Sequence, residues 1–73
     1  MSQELYLTGL SQQERICAGF LQAYLTNREI AERMGVSIRS VESIINGMKR
    51  KLGCYSKIQL IFVLTGNSHR VIL

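Results

Sequence analysis

Near the middle of the chain, Gly35-Val36-Ser37 interrupts two stretches that each have the make-up of a helix, Asn27–Met34 and Ile38–Leu52. Gly35 can adopt the positive φ that ends one helix, Val36 can plug a core, and the Ser37 hydroxyl can cap the helix that follows. A short glycine-containing turn joining a short helix to a longer one is the helix-turn-helix pattern. This break therefore constrains the fold more than any other feature.

The remaining helix starts are marked by serine or threonine followed three residues later by Glu or Gln: Ser11 with Glu14, Thr26 with Glu29, and Ser56 with Gln59. In such a capping box the hydroxyl accepts from an unpaired backbone N–H and the later side chain reaches back to the cap. Helices are expected over Ser11–Tyr24, Asn27–Met34, Ile38–Leu52 and Lys57–Thr65. The fold class is all-α, with four helices. The chain has no proline, repeat or change of composition, so one domain over residues 10–65 is expected. A loosely ordered segment, residues 1–9, precedes it, and a tail, residues 66–73, follows a Gly-Asn-Ser cluster.

With 73 residues, 47% of them hydrophobic, the chain is one small domain of modest stability. It has no apolar run of about 20 residues to span a bilayer and no secretion signal, so it reads as cytoplasmic. Cys17 and Cys54 lie far apart and form no CxxC pair, so neither a zinc site nor a disulfide framework is indicated. Enzymatic chemistry has little to work with. The chain contains no aspartate, its single histidine, His69, lies in the tail, and no glycine-rich phosphate loop appears. No cofactor or metal is expected, and Glu14, Glu29 and Glu32 are accounted for as caps and surface charges.

The net charge is +4, with a pI near 9.5, and the excess is local. Before the break, Arg15, Arg28 and Arg33 are outnumbered by Glu4, Glu14, Glu29 and Glu32. Residues 37–57 carry Arg39, Lys49, Arg50, Lys51 and Lys57 against Glu42 alone. A basic stripe of this kind suits a polyanion, although a solvated face is the common alternative. In the third helical segment Val41, Ile44, Ile45, Met48 and Leu52 form one buried stripe, while Arg39, Glu42, Ser43, Asn46, Lys49 and Arg50 face the other way. That outer face offers groups able to meet guanine, adenine or phosphate. Lys49-Arg50-Lys51 also suits the negative end of the helix dipole, and the helical turn places Lys49 nearest the groove face. Gly47 weakens this helix by about 1 kcal/mol relative to alanine and marks a close approach.

The fourth segment carries two apolar stripes, Ile58, Ile61 and Phe62 opposite Leu60, Val63 and Leu64. One can pack inward, and a second copy of the chain is the simplest cover for the other. The stripe Leu60, Val63 and Leu64 is expected at the dimer interface. The alternative cover is the tail "RVIL" folding back.

From Leu10 to Leu60 the chain resembles the LuxR/GerE/NarL-type helix-turn-helix domain of bacterial transcription regulators. The resemblance is carried by "LSQQE", "LTNREIA", "MGVS" and "KLGC", which match the family's LTxRE, LSNKEIA, LxIS and KLGV in order and spacing. It implies sequence-specific binding of double-stranded DNA, with the third helix in the major groove and the fourth commonly making a homodimer. The base-facing positions fall on Glu42, Ser43 and Asn46. Phosphate contacts fall on Asn27, Arg28, Ser37 and Ser40, with Lys51 as the lysine of KLG, and Arg39 and Lys49 join them from the basic face. RNA polymerase or a related regulator is a further expected partner. Three positions depart from the family: Glu42 replaces a lysine, Ile44 a frequent histidine, and Tyr24 the usual helix-ending glycine. Glu42 can accept from a cytosine amino group or pair with Arg39. Its sign also keeps open a protein-interaction module, anti-activator-like, that retains the fold and pairs with a related regulator. A sigma-factor promoter-binding region has a similar helix pair, but the "KLG" end and the apolar helix after it favour the LuxR type. Members occur alone or as the C-terminal part of longer chains, and an initiating Met1 fits the former.

Overall fold

A computed structural model describes residues 9–66. Within them lie four helices, α1 (Gln12–Gln22), α2 (Asn27–Met34), α3 (Ile38–Leu52) and α4 (Lys57–Thr65). The all-α fold is as expected, and α2, α3 and α4 have the expected bounds. The expected loose segment before Gly9 and the tail beyond Gly66, with His69 and "RVIL", lie outside the described residues.

The caps show why the elements start and stop where they do. Complete capping boxes open α1 and α2. At α4 the Ser56 hydroxyl accepts from the Gln59 N–H as expected, but Gln59 Oε1 reaches one residue further back, to the Tyr55 N–H at 2.8 Å. Ser56 has φ −140°, against −70° and −73° at the caps of α1 and α2, so the chain enters α4 in a different conformation. Gly35 closes α2 with φ 71°, and the Val36 N–H bonds to the Ala31 carbonyl at 3.0 Å. The break is thus the turn of a helix-turn-helix.

Helix α1 stops two residues before the expected end. Tyr24 takes φ 63° in the position where glycine would close a helix, and the Leu25 N–H bonds back to the Phe20 carbonyl. The left-handed conformation costs a side-chain-bearing residue about 1–2 kcal/mol. Tyr24 is 69% exposed, so its ring regains little of this through burial in its own chain. Tyr24→Gly should therefore raise folding stability by about 1 kcal/mol, seen as a higher thermal midpoint. An unchanged or lower midpoint would show that the ring's contacts outweigh the strain.

Leu10, Cys17, Ala18, Leu21, Ile30, Val41, Ile45, Met48, Leu60 and Leu64 form one core to which every helix contributes. Ile44, at the family's histidine position, packs partly against it. Both cysteines are free and buried, and burial pushes the Cys17 thiol up to about 11, so it stays protonated at neutral pH. Gln22 Nε2 donates to the Leu64 carbonyl at 2.9 Å, tying the end of α1 to the end of α4.

This arrangement corrects one expectation about α4. Leu60 and Leu64 are 0% and 1% exposed and Val63 is half-buried against the core, so Leu60 and Leu64 cannot line a partner. The opposite stripe faces outward, because α4 can turn only one apolar face onto α1 and α3. Ile58 is 69% and Phe62 42% exposed, and with Ile61 and Tyr24 they line a shallow apolar groove.

Candidate nucleic-acid interface

Helix α3 presents one face to the core and the opposite face to solvent. Val41, Ile45 and Met48 are buried, while Arg39, Glu42, Ser43, Asn46 and Arg50 are exposed. The exposed set recurs at helical offsets and makes a continuous polar ridge along three turns. Glu42, Ser43 and Asn46 therefore lie together on the outer side of the second helix of the motif. Lys49, expected nearest the groove face, is half-buried on a flank. Arg50 is the cation centred on the ridge, eleven residues from Arg39, which is three helical turns with about 20° to spare. That offset was readable in the sequence, but the run of three cations masked it.

The N-terminus of α2 adds further candidate groups. Arg28 is exposed there, and Asn27 Oδ1 accepts from Lys57 Nζ at 2.9 Å, which joins the starts of α2 and α4. Two helix starts and a lysine thus meet, an electrostatic setting that favours an anion. Lys57 is a contributor that the sequence placed only in the basic stretch. At the start of α3, Ser37 Oγ accepts from the Ser40 N–H and donates to Ser40 Oγ, both at 3.0 Å. Both hydroxyls are exposed, so this local pair can open toward a phosphate.

Among the described residues the only ion pair joins Lys51 Nζ to Glu14 Oε1 at 2.7 Å. Glu42 therefore makes no pair with Arg39, the partner the sequence offered on its own helix face. Glu14, expected as a cap and surface charge, is a cap but is only 8% exposed. Its Oε1 accepts from the Ser11 N–H at 2.8 Å as well as from Lys51. The approach marked by Gly47 is to this carboxylate, since a Cβ at Gly47 would lie 2.9 Å from Glu14 Oε2.

Burial raises the Glu14 carboxyl, but hydrogen bonds from Lys51 and the Ser11 backbone, with the charge of Lys51, outweigh it and bring the group below its ordinary 4.5. Glu29 is lowered by the Thr26 N–H and hydroxyl. A carboxyl depressed in the folded state stabilises fully above its unfolded value and loses that contribution as pH falls through the folded value. The urea midpoint should hold steady above pH about 5 and fall below about 4, and Glu14→Gln should flatten that fall. A midpoint rising with acid would contradict the sign.

No group of His, Cys, Asp or Glu side chains suited to a metal ion occurs among the described residues, and none of their helices is long and apolar enough to cross a membrane. Residues 8–64 match the family described as bacterial regulatory proteins, luxR family. The chain is also 38% identical over 53 residues to the DNA-binding transcriptional activator DevR/DosR of Mycobacterium tuberculosis (strain ATCC 25618 / H37Rv). That similarity covers 73% of this chain but 24% of the relative, so the chain spans about a quarter of the relative's length. No solved structure matches. With its helix-turn-helix, its exposed polar ridge and a family match over residues 8–64, this chain belongs to the luxR family of bacterial regulatory proteins.

Proposed function

We propose that the domain binds double-stranded DNA in a sequence-dependent way to control transcription, with α3 in the major groove. The observation that carries this reading is the ridge Arg39–Ser43–Asn46–Arg50, exposed and free of ion pairs among the described residues. A helix presenting such a ridge fits the major groove, and the flanking helix starts and cations suit the phosphates on either side. Glu42, Ser43 and Asn46 sit nearest base edges. Arg28, Arg39, Ser40 and Lys49, with Asn27 and Ser37, hold phosphates.

The domain acts as a homodimer, joined through the outward stripe of α4. The groove lined by Tyr24, Ile58, Ile61 and Phe62 has no charged side chain in its lining, so it suits an apolar partner surface such as its own two-fold copy. Two recognition helices would then meet half-sites about 34–36 Å apart. RNA polymerase or a related regulator is the further protein partner in this scheme.

The test is selection from a pool of random duplexes at two salt concentrations, followed by sequencing of the retained DNA. An enriched, roughly palindromic site with steep salt dependence supports a DNA-reading dimer. Retention that is feeble and unselective would favour the second reading, a protein-interaction module, for which the unpaired Glu42 on the ridge is the specific observation. Glu42→Lys separates the two. A large general gain in DNA affinity would indicate a domain turned away from DNA, and a changed base preference a carboxylate that reads sequence.

A further inference from the structure

Three successive cations end α3, and the turn of the helix starts them at three positions around its axis. Successive helix positions are about 100° apart, so Arg50 lies on the line of Arg39, Ser43 and Asn46, whereas Lys51 lies about 120° away, on the flank facing α1. There Lys51 meets Glu14 at 2.7 Å, and the Glu14 side chain is 10% exposed. Gly47, one turn earlier on the same flank, leaves the carboxylate room, since any larger residue would put a Cβ 2.9 Å from Oε2. Glu14 is fixed from its own side by Ser11. The ammonium, carboxylate and missing side chain together make a seat that holds the C-terminal half of α3 against the start of α1.

We infer that Arg50, and not Lys51, joins Lys49 in meeting DNA at the C-terminal end of α3, and that Glu14 is the positioning residue that keeps Lys51 out of that contact. This rests on the DNA-binding reading above. A lysine paired with a carboxylate presents a dipole whose field falls off faster than that of a free charge, so it displaces few counterions from DNA. Arg50 has no ion pair among the described residues and is exposed; its backbone position lies on the ridge, and its Nη2 lies 3.9 Å from where a Cβ on Gly47 would be. Its planar guanidinium can take a phosphate or a guanine edge through two donors. Lys51, at the KLG position, is thereby given to the contact with α1.

The experiment measures duplex affinity against salt for the wild-type chain, Arg50→Gln, Glu14→Gln, and the charge-neutral double variant Glu14→Gln/Lys51→Met. The amide oxygen introduced by Glu14→Gln can still accept from the Ser11 N–H, so the cap of α1 survives. Arg50→Gln should reduce the slope of log affinity against log salt by about 0.9. The double variant should leave slope and affinity within about two-fold, and Glu14→Gln alone should steepen the slope as Lys51 is released. A double variant that loses about 0.9 in slope, with Arg50→Gln unchanged, overturns the inference. A cycle of the same Glu14 and Lys51 variants in urea, without DNA, should show non-additive midpoints. Additivity overturns the positioning role of Glu14 whatever the DNA results. Non-additivity with no salt-dependent binding by the wild-type chain leaves the seat standing and overturns the DNA-binding reading together with the role of Arg50.

Discussion

Leu60→Ala is expected to lower folding stability by about 2–5 kcal/mol, while Phe62→Ala, two residues along the same helix, changes it by about 1 kcal/mol or less. The difference follows from placement alone. Leu60 is 0% exposed within the shared core, so truncation removes buried area and leaves a cavity, whereas Phe62 is 42% exposed over an open groove. A domain of this length holds only ~4–11 kcal/mol in total, so the first variant forfeits a large part of its stability. In the proposed homodimer the order should reverse for self-association. Phe62→Ala removes the largest apolar contact of the outward stripe and should shift the population toward monomer in sedimentation equilibrium. Leu60→Ala, kept below its melting temperature, should not. If Leu60→Ala were benign to folding and harmful to association, α4 would be turned the other way round and the core as described would be wrong.

Asn46→Ala is expected to relax the preference for one base pair of the selected site by about 1–3 kcal/mol, a ~5- to 150-fold change, with little effect on random DNA. Asn46 lies at the centre of the exposed ridge, four residues before Arg50 and seven after Arg39, and its amide can donate to and accept from an adenine edge. Arg39→Ala serves as the contrast. Removing a phosphate contact should weaken all sequences alike and lower the salt slope by about 0.9. Competition binding against each single base-pair change in the site would separate the two. Equal losses on specific and random DNA for both variants would contradict this division of labour.

Local chemistry explains what was legible from the chain alone. Helix starts at Ser11, Thr26 and Ser37 depend on hydroxyls within three residues of the N–H groups they cap, and the stop at Gly35 depends on a single positive φ. The core stripe of α3 and its polar ridge follow from the 3.6-residue period, so the side bearing Ser43 and Asn46 could be read before any tertiary contact was known. The departure at Tyr24 was visible too, as a tyrosine where a glycine usually ends the helix, and the structure places the positive φ there.

What the sequence left open were choices between equals. Helix α4 is apolar on both sides, and periodicity cannot say which side turns inward. Only the packing of α1 and α3 buries Leu60 and Leu64 and leaves Ile58 and Phe62 outside. Lys51 read as one more cation in a basic run, because its partner Glu14 lies 37 residues away and is brought near only by the crossing of α1 and α3. Gly47 likewise gave no hint of what approached it until that crossing placed a carboxylate against the helix. Contacts within one turn are set by neighbouring residues, and the sequence by itself determined those. The inward face of α4, the pairing of Lys51 and the tethers between helices arise between segments distant in the chain, so only the tertiary structure decided them.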